Sequence, residues 1–141
     1  KKGEPQKVTA ALITSGDNIL LVKRGREPHY NQWSFPSGVG AFDETHNPIE
    51  AVRSEVKHDI NCIYDPTFFL SEYEKDSNSF VMFFHGTIMG VPNVTNPIVG
   101  EAKWFPMQEA LQLDLAFNHK EVLKKYLEEK TKIYSLSGLG K

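Results

Sequence analysis

Acidic side chains line one edge of a helix that the sequence predicts to begin near Asn47. On a helical wheel with Glu55 at zero, Asp59 lies about 40° away and His58 about −60° away. Carboxylates at positions i and i+4 are close neighbours, and they repel one another when both are ionised. A hard divalent cation such as Mg²⁺ or Mn²⁺ removes that repulsion and prefers oxygen ligands. The pattern therefore predicts either a metal-binding edge or a solvated acidic edge.

A glycine-containing loop precedes this helix. Residues 36–40 read Pro-Ser-Gly-Val-Gly, and at Gly38 and Gly40 the backbone could approach an anion closely. Backbone N–H groups in such loops form concave anion-binding sites. Glu44 follows the loop, so that glycines, an acid and an acid-edged helix occur within a short stretch. Together these features favour phosphate chemistry more strongly than the helix does alone.

The helix itself is predicted from Asn47 to about Asp59. Asn47 is a good N-cap residue, and Pro48 suits the first helical position. Asn61 is typical of a left-handed C-cap. The apolar residues recur at spacings of three, four and four, which places on one face Ile49, Val52, Val56 and Ile60.

Strand patterns surround the loop and the helix. Apolar runs at 8–13 and 19–22, separated by a Ser-Gly-Asp-Asn turn, predict a β-hairpin. The run at 80–89 is continuously apolar, as in a central strand that is covered on both faces. The remaining elements are strands at 67–74 and 102–105, a helical turn at 106–111 and a helix that Asn118 caps and that runs to Glu129, whereas 134–141 stays unassigned. This order predicts an α+β or α/β fold with a mixed sheet between helices.

Bulk properties narrow the classes of function. A chain of 141 residues predicts one domain. The net charge of −2 provides no basic surface for nucleic acid or for a membrane. No apolar run approaches the roughly 18 residues that span a bilayer, and the first residues lack the apolar segment of a signal peptide. The single cysteine, Cys62, forms no internal disulfide and suits a reducing compartment, so a cytoplasmic location is expected.

The loop and helix resemble the Nudix hydrolase box, G-x5-E-x7-R-E-U-x-E-E-x-G-U, in which U is a bulky apolar residue. Gly38 and Glu44 have the x5 spacing, and 51–56 resembles A-A-U-R-E-U. Other segments resemble further parts of the family: the first hairpin at 8–23, the E-x-x-W-F strand at 101–105, and at 115–119 the terminal helix entry of ADP-ribose pyrophosphatase-like members. The resemblance covers roughly residues 7–130 and implies one α/β/α sandwich domain around a mixed sheet, with frayed ends.

The resemblance also implies a reaction and a metal. That reaction is the hydrolysis of a nucleoside diphosphate linked to another moiety, with Mg²⁺ or Mn²⁺ as cofactor and a small-molecule nucleotide as partner. Glu55 and Asp59 are then metal ligands, and His58 is a further candidate ligand. Glu55 is also a catalytic residue. Glu101 is either another ligand, the base that orients the water, or an uninvolved surface residue.

Substrate binding is implied for the residues around the loop. Gly38 and Gly40, with Glu44, would hold the diphosphate. Arg24 and Arg26 are either phosphate contacts or solvated loop charges.

The box departs from the family pattern in ways that leave a second interpretation open. Ser54 stands at the box arginine, and its neighbour Arg53 would point away from the carboxylates. His58 stands at a glutamate and Asn61 at the glycine, and two extra residues precede the helix. The alternative is a Nudix-fold domain that binds a nucleotide or diphosphate without turnover. The choice between a monomer and a homodimer also stays open.

Overall fold

A mixed β-sheet lies at the centre of the protein. The computed structural model describes residues 3–39 and 46–139, with side chains to residue 132. Within these ranges the sheet has seven strands: β1 (Gln6–Ser15), β2 (Asn18–Arg24), β3 (Trp33–Ser34), β4 (Ser37–Gly38), β5 (Ile63–Glu74), β6 (Ser79–Met89) and β7 (Val99–Pro106). The helices are α1 (Pro48–Ile60), α2 (Met107–Ala110) and α3 (His119–Leu139).

The strand order places β1 and β6, which are far apart in the sequence, side by side in the middle of the sheet. The main path runs β3-β2-β1-β6-β5, while β4 pairs with β1 and β7 pairs with β2. Strands β1 and β6 are parallel, with Val8 opposite Val81, and the other pairs are antiparallel. The predicted hairpin is β1–β2, and the predicted central strand is β6, which lies between β1 and β5.

Helices cover both faces of the sheet. On one face α1 contributes Val52 and Val56 to a buried cluster that includes Phe84. On the other face α2 and α3 pack on a cluster that includes Phe83 and Leu123. Adjacent residues of β6 therefore enter opposite cores, as alternation along a strand requires. The predicted α/β/α sandwich with a mixed sheet is confirmed. No helix in the described ranges has the length and apolar character needed to cross a membrane.

Helix α1 begins and ends where the sequence predicts. The Asn47 side chain accepts hydrogen bonds from the backbone N–H of Ile49 at 3.0 Å and from that of Glu50 at 3.5 Å. Pro48 occupies the first turn, and Asn61 is left-handed at φ 57°. These caps fix the rotation of α1, and so they fix which side chains reach its exposed edge.

Two predicted elements differ from the structure. Strand β5 begins at Ile63, before the predicted residue 67, because an edge strand tolerates Pro66. Helix α3 continues to Leu139, so the tail that the sequence left unassigned is helical as far as that residue. Asn118 lies at the predicted cap position, one residue before α3, and its backbone carbonyl accepts from the Val122 N–H, but its side-chain Oδ1 has no hydrogen-bond partner among the described residues.

Candidate active site

The glycine loop and α1 meet at Gly38 and Glu55. Strand β4 pairs with β1, and this pairing places Gly38 opposite Thr9 and Ser37 opposite Ala10. The loop backbone is therefore fixed against the sheet and under α1. A Cβ atom at residue 38 would lie 2.6 Å from Oε1 of Glu55, which is closer than side chains approach. Only glycine lets the loop lie directly against this carboxylate.

Glu55 and Asp59 form a buried carboxyl pair one helical turn apart. Their exposed fractions are 7% and 2%. Burial, and then the neighbouring Asp59, raises the pKa of Glu55 to about 8. Burial also raises the pKa of Asp59. Two buried carboxylates this close repel one another when both are ionised, so the pair retains one proton near neutral pH in the absence of a cation.

The segment after β6 closes the C-terminal end of α1 and supports Asp59. Asn96 is buried, and its Nδ2 donates to Oδ1 of Asp59 at 2.8 Å. The Thr95 N–H donates to the Asp59 carbonyl at 3.1 Å, and Thr95 Oγ1 donates to the His58 carbonyl at 2.8 Å. The amide of Asn96 lowers the pKa of Asp59 in opposition to burial.

Sequence reasoning missed Asn96. The Asn-Pro pair at 96–97 favours a turn, and the Asn96 side chain does accept from the Ile98 N–H at 3.1 Å. Nothing in the spacing indicates that this turn packs on a helix nearly forty residues earlier. Its contact with Asp59 is a product of the tertiary fold.

A cavity of about 280 Å³ opens beside the carboxyl pair. Its lining brings together most of the predicted site residues: Arg24, Arg26, Gly38, Glu55, His58 and Asp59. Arg24 is the last residue of β2 and Arg26 lies on the loop after it, while the acids lie on α1, so cationic and acidic side chains line the same cavity. Such a site suits a polyanion together with a cation.

A second cavity, of about 180 Å³, adjoins the first and shares Arg24, Arg26 and Gly38 with it. The side chains that it does not share include Glu74, Asn118 and His119, which are carried by β5 and the start of α3. The two cavities together could accept a ligand with a phosphate part and a larger organic part.

The second cavity contains unusual polar groups. Asn118 Nδ2 donates to Glu72 at 3.2 Å, while Oδ1 is buried and has no partner among the described residues. His119 Nδ1 accepts from the Phe35 N–H at 3.1 Å, so the neutral ring carries its proton on Nε2. Burial, together with the charges of Arg24 and His29, lowers the pKa of His119 to about 3.

Three predicted site residues are not placed at the cavities. Gly40 and Glu44 lie outside the described residues. Glu101 is described, and it is exposed on β7 opposite Lys23. Its neighbour Ala102 packs against the core under α1, so Glu101 faces the other side of the sheet. Neither cavity lining includes Glu101.

The box position occupied by Ser54 remains without an arginine. Ser54 is exposed on α1. The neighbouring Arg53 donates from Nε to the Tyr64 carbonyl at 3.3 Å, on the β5 side of the helix. As the helical wheel predicts, Arg53 does not brace Glu55 or Asp59.

The carboxyl pair fits a Mg²⁺ or Mn²⁺ ion that also contacts phosphate. Within the part of the chain that the structure describes, no three His, Cys, Asp or Glu side chains are grouped so as to enclose an ion. Mg²⁺ is usually held by one or two carboxylates with water and substrate phosphates, not by a complete protein cage. Glu55 and Asp59 supply two carboxylates beside an open cavity, and a cation would replace their shared proton.

Comparisons with solved structures agree on the fold. A NUDIX hydrolase from Nitrosomonas europaea superposes with a TM-score of 0.79 at 19% identity, covering 94% of this chain and 75% of that one. A MutT NUDIX hydrolase from Burkholderia pseudomallei gives 0.72 at 22% identity, covering 86% and 97%. The NUDIX domain of Shewanella oneidensis NrtR, solved as a complex with ADP ribose, gives 0.70 at 18% identity, covering 92% and 90%. No curated protein matches the sequence.

The family assignment rests on sequence as well as on shape. The family model described as NUDIX domain matches residues 4–126, a span that contains both cavities and all the described site residues. The match supports the expectation of a Nudix-type pyrophosphohydrolase, and it includes the diverged positions Ser54, His58 and Asn61. With that match over most of its length, and the α/β/α sandwich that it shares with these neighbours, the chain belongs to the Nudix domain family.

Proposed function

We propose that this protein hydrolyses a nucleoside diphosphate linked to another moiety, and that ADP-ribose is a representative substrate. The observation that carries the proposal is the buried Glu55–Asp59 pair, which lines the same cavity as Arg24 and Arg26. An acidic side suits a divalent cation, and a cationic side suits phosphate. An arrangement of this kind serves the cleavage of a diphosphate better than the binding of a neutral ligand.

Glu55 and Asp59 are the proposed ligands of Mg²⁺ or Mn²⁺. When bound, the ion neutralises phosphate charge and makes a water molecule more acidic. His58 is exposed and lines the same cavity, so it is the remaining candidate ligand. Glu101 faces away from α1, and we leave it out of the proposed site.

The proposed roles of the other residues follow from their positions. Arg24 and Arg26 bind the diphosphate oxygens, and Gly38 lets the loop backbone approach both the phosphate and Glu55. Glu55 is also the proposed catalytic residue: its carboxyl group loses the proton that burial keeps on it when a cation binds, and the ionised Glu55 can then accept the proton of the attacking water. Asn96 keeps Asp59 in place through its amide hydrogen bond.

The second cavity is the proposed site of the organic part of the substrate. The unpaired Oδ1 of Asn118 accepts a hydrogen bond, and the protonated Nε2 of neutral His119 is a donor. Both residues line the second cavity, which shares lining residues with the first. The Shewanella oneidensis neighbour, which was solved with ADP ribose, supports choosing this class of ligand first.

Turnover tests the proposal directly. The protein is incubated with Mg²⁺ or Mn²⁺ and a panel of ADP-ribose, NADH, diadenosine polyphosphates and oxidised dNTPs, and the release of AMP or phosphate is measured. We expect hydrolysis of at least one compound, and we expect Glu55→Gln to lower kcat by about 10²-fold or more. Glu101→Gln is the matched control, since it removes a carboxylate from the opposite face and should retain activity.

Binding without turnover is the informative contrary outcome. If calorimetry shows tight binding of a nucleotide with either metal while no product forms, the chain is a ligand-binding domain and the hydrolase is wrong. Ser54, His58 and Asn61 are the departures from the box that would then explain the loss of turnover.

The proposed partner is a small molecule. The net charge of −2 offers no basic surface for nucleic acid. A cytoplasmic location is consistent with the single buried thiol of Cys62. Light scattering coupled to size exclusion would decide between a monomer and a homodimer.

A further inference from the structure

Phe117 has a strained backbone conformation and lies beside the second cavity. Its φ is 55°, in the left-handed region that bulky residues rarely adopt. Such strain persists only where surrounding contacts hold the residue in place. Phe117 lies two residues before α3 and lines the second cavity, where the contacts of its ring can hold the strained backbone in place.

The ring of Phe117 contacts the charged group of Arg24 and two histidine rings. The Arg24 guanidinium carbon lies 4.8 Å from the ring centroid. The His29 ring meets it edge-on at 4.5 Å, and the buried His119 ring lies 5.6 Å away. A cation over an aromatic face is attracted by the ring quadrupole, and the attraction is stronger where water is excluded.

Arg24, like Arg26 and Gly38, lies at the junction of the two cavities. It is half-buried and lines both of them. Its Nε donates to the Pro28 carbonyl at 2.7 Å. Its side chain makes no other hydrogen bond and no ion pair with the described residues, so its two terminal amino groups have no protein partner there. A planar guanidinium with its Nε fixed and one face on a ring has little freedom to turn.

Hydrogen bonds also join the loop after β2 to the segment before α3. Gln32 Nε2 donates to Oδ2 of Asp114 at 2.9 Å and to the Asp114 carbonyl at 3.1 Å. Gln32 Oε1 lies 2.7 Å from Nδ1 of His29, whose ring packs on Phe117. The loop after β2 and the segment before α3 therefore form one connected unit around Arg24.

We propose that Phe117 is a positioning residue, whose strained backbone presents its ring so as to hold the Arg24 guanidinium at the junction of the two cavities for contact with a diphosphate. This inference rests on the proposed function, because it assumes that the phosphate lies at that junction. It assigns Phe117 to ligand alignment and not to the packing of the core. Removal of the ring should therefore affect binding of phosphate far more than it affects folding.

The test measures binding of ADP-ribose and of inorganic pyrophosphate by calorimetry with Mg²⁺, in a Glu55→Gln parent that blocks turnover. We expect Phe117→Leu to weaken both affinities by about fivefold to tenfold. Phe117→Tyr keeps the ring and should restore affinity to within about twofold of the parent. Phe69→Leu is the matched control: Phe69 is also half-buried and packs on Tyr126 at 5.7 Å, away from both cavities, and it should leave affinity unchanged.

A double-mutant cycle with Arg24→Met decides whether Phe117 acts through Arg24. We expect Phe117→Leu to have an effect of less than about twofold once Arg24 is replaced. An undiminished effect in that background, or no effect of Phe117→Leu in the parent, would overturn the positioning role and leave the proposed function standing. A parent and a wild-type protein that bind neither probe would overturn both. Circular dichroism melts of each variant separate loss of binding from loss of folding.

Discussion

Gly38 and the Glu55 carboxylate approach so closely that a methyl group at residue 38 would lie 2.6 Å from Oε1. The glycine belongs to a strand paired with β1, and the glutamate belongs to a helix whose apolar face is buried against the sheet. Separating the two elements would break that strand pairing or expose the apolar face of α1. The absence of a side chain at residue 38 is therefore part of how Glu55 is held.

Gly38→Ala should impair turnover more than it impairs stability. The added methyl group would push the Glu55 carboxylate out of place, and we expect kcat/KM to fall by about tenfold or more. Gly100→Ala is the control, since its Cβ would meet the Lys23 carbonyl at an ordinary 3.5 Å. Steady-state kinetics and urea unfolding of both variants check this. Equal activity of the two variants would show that the Gly38–Glu55 contact is irrelevant to the reaction.

Stability of the metal-free protein should depend on the charge of Glu55. Its folded pKa of about 8 lies above the ordinary 4.5, so the folded state retains the proton and its stability falls as pH rises from about 4.5 to 8. Glu55→Gln mimics the protonated form. Relative to wild type, we expect the variant to gain about 1–3 kcal/mol between pH 5 and pH 9. Unfolding by urea with a chelator present measures this, and a difference that does not change with pH would contradict it.

Asn96→Ala should destabilise the protein and the carboxyl pair together. The change removes the donor to a buried Asp59 oxygen, at a cost of about 1–3 kcal/mol. Asn93→Ala lies in the same segment and keeps the backbone bond from the Asn93 N–H to the Ile60 carbonyl. We expect that control to stay within about 0.5 kcal/mol of wild type in urea unfolding. If both variants lose the same stability, the segment as a whole matters and the amide does not.

His119 should make the protein sensitive to acid. Its folded pKa of about 3 lies below the ordinary 6.5. Its contribution to the free energy of unfolding is therefore complete above pH 6.5 and is lost as pH falls from 6.5 towards 3. His119→Gln retains an acceptor for the Phe35 N–H and does not titrate. We expect wild type to lose about 1–3 kcal/mol relative to this variant between pH 6.5 and pH 4.5, as measured by urea unfolding. Parallel pH curves would show that His119 is not buried in its neutral form.

Local rules predicted the scaffold well. Three features depend only on neighbours in the sequence: the caps of α1 at Asn47 and Asn61, its apolar stripe, and the placement of Glu55 and Asp59 on one edge. Asn118 also precedes α3 as predicted, but its side chain donates to Glu72 and its Oδ1 has no partner among the described residues. An edge strand also extended through Pro66, where composition indicates an interruption.

The parts of the site that escaped prediction depend on tertiary contacts. Asn96 reaches Asp59 because the segment after β6 folds over the end of α1. Phe117 reaches Arg24 because the start of α3 lies beside the loop after β2. Glu101 fits the family pattern in sequence, yet strand alternation turns it to the other face of the sheet. Spacing along the chain contains no information on such long-range pairings.

The parallel pairing of β1 with β6 also sets an order of assembly during synthesis. Strand β1 leaves the ribosome early, but it acquires its central neighbour only when residues 79–86 have been translated. The hydrogen bond to the Asp59 side chain forms later still, because its amide donor is Asn96. The acids of the candidate site are thus made well before the segment that buries and orients them. A nascent chain that has passed α1 but not the segment after β6 would display two ionised, water-exposed carboxylates, and competence would appear only after residue 96 has been translated.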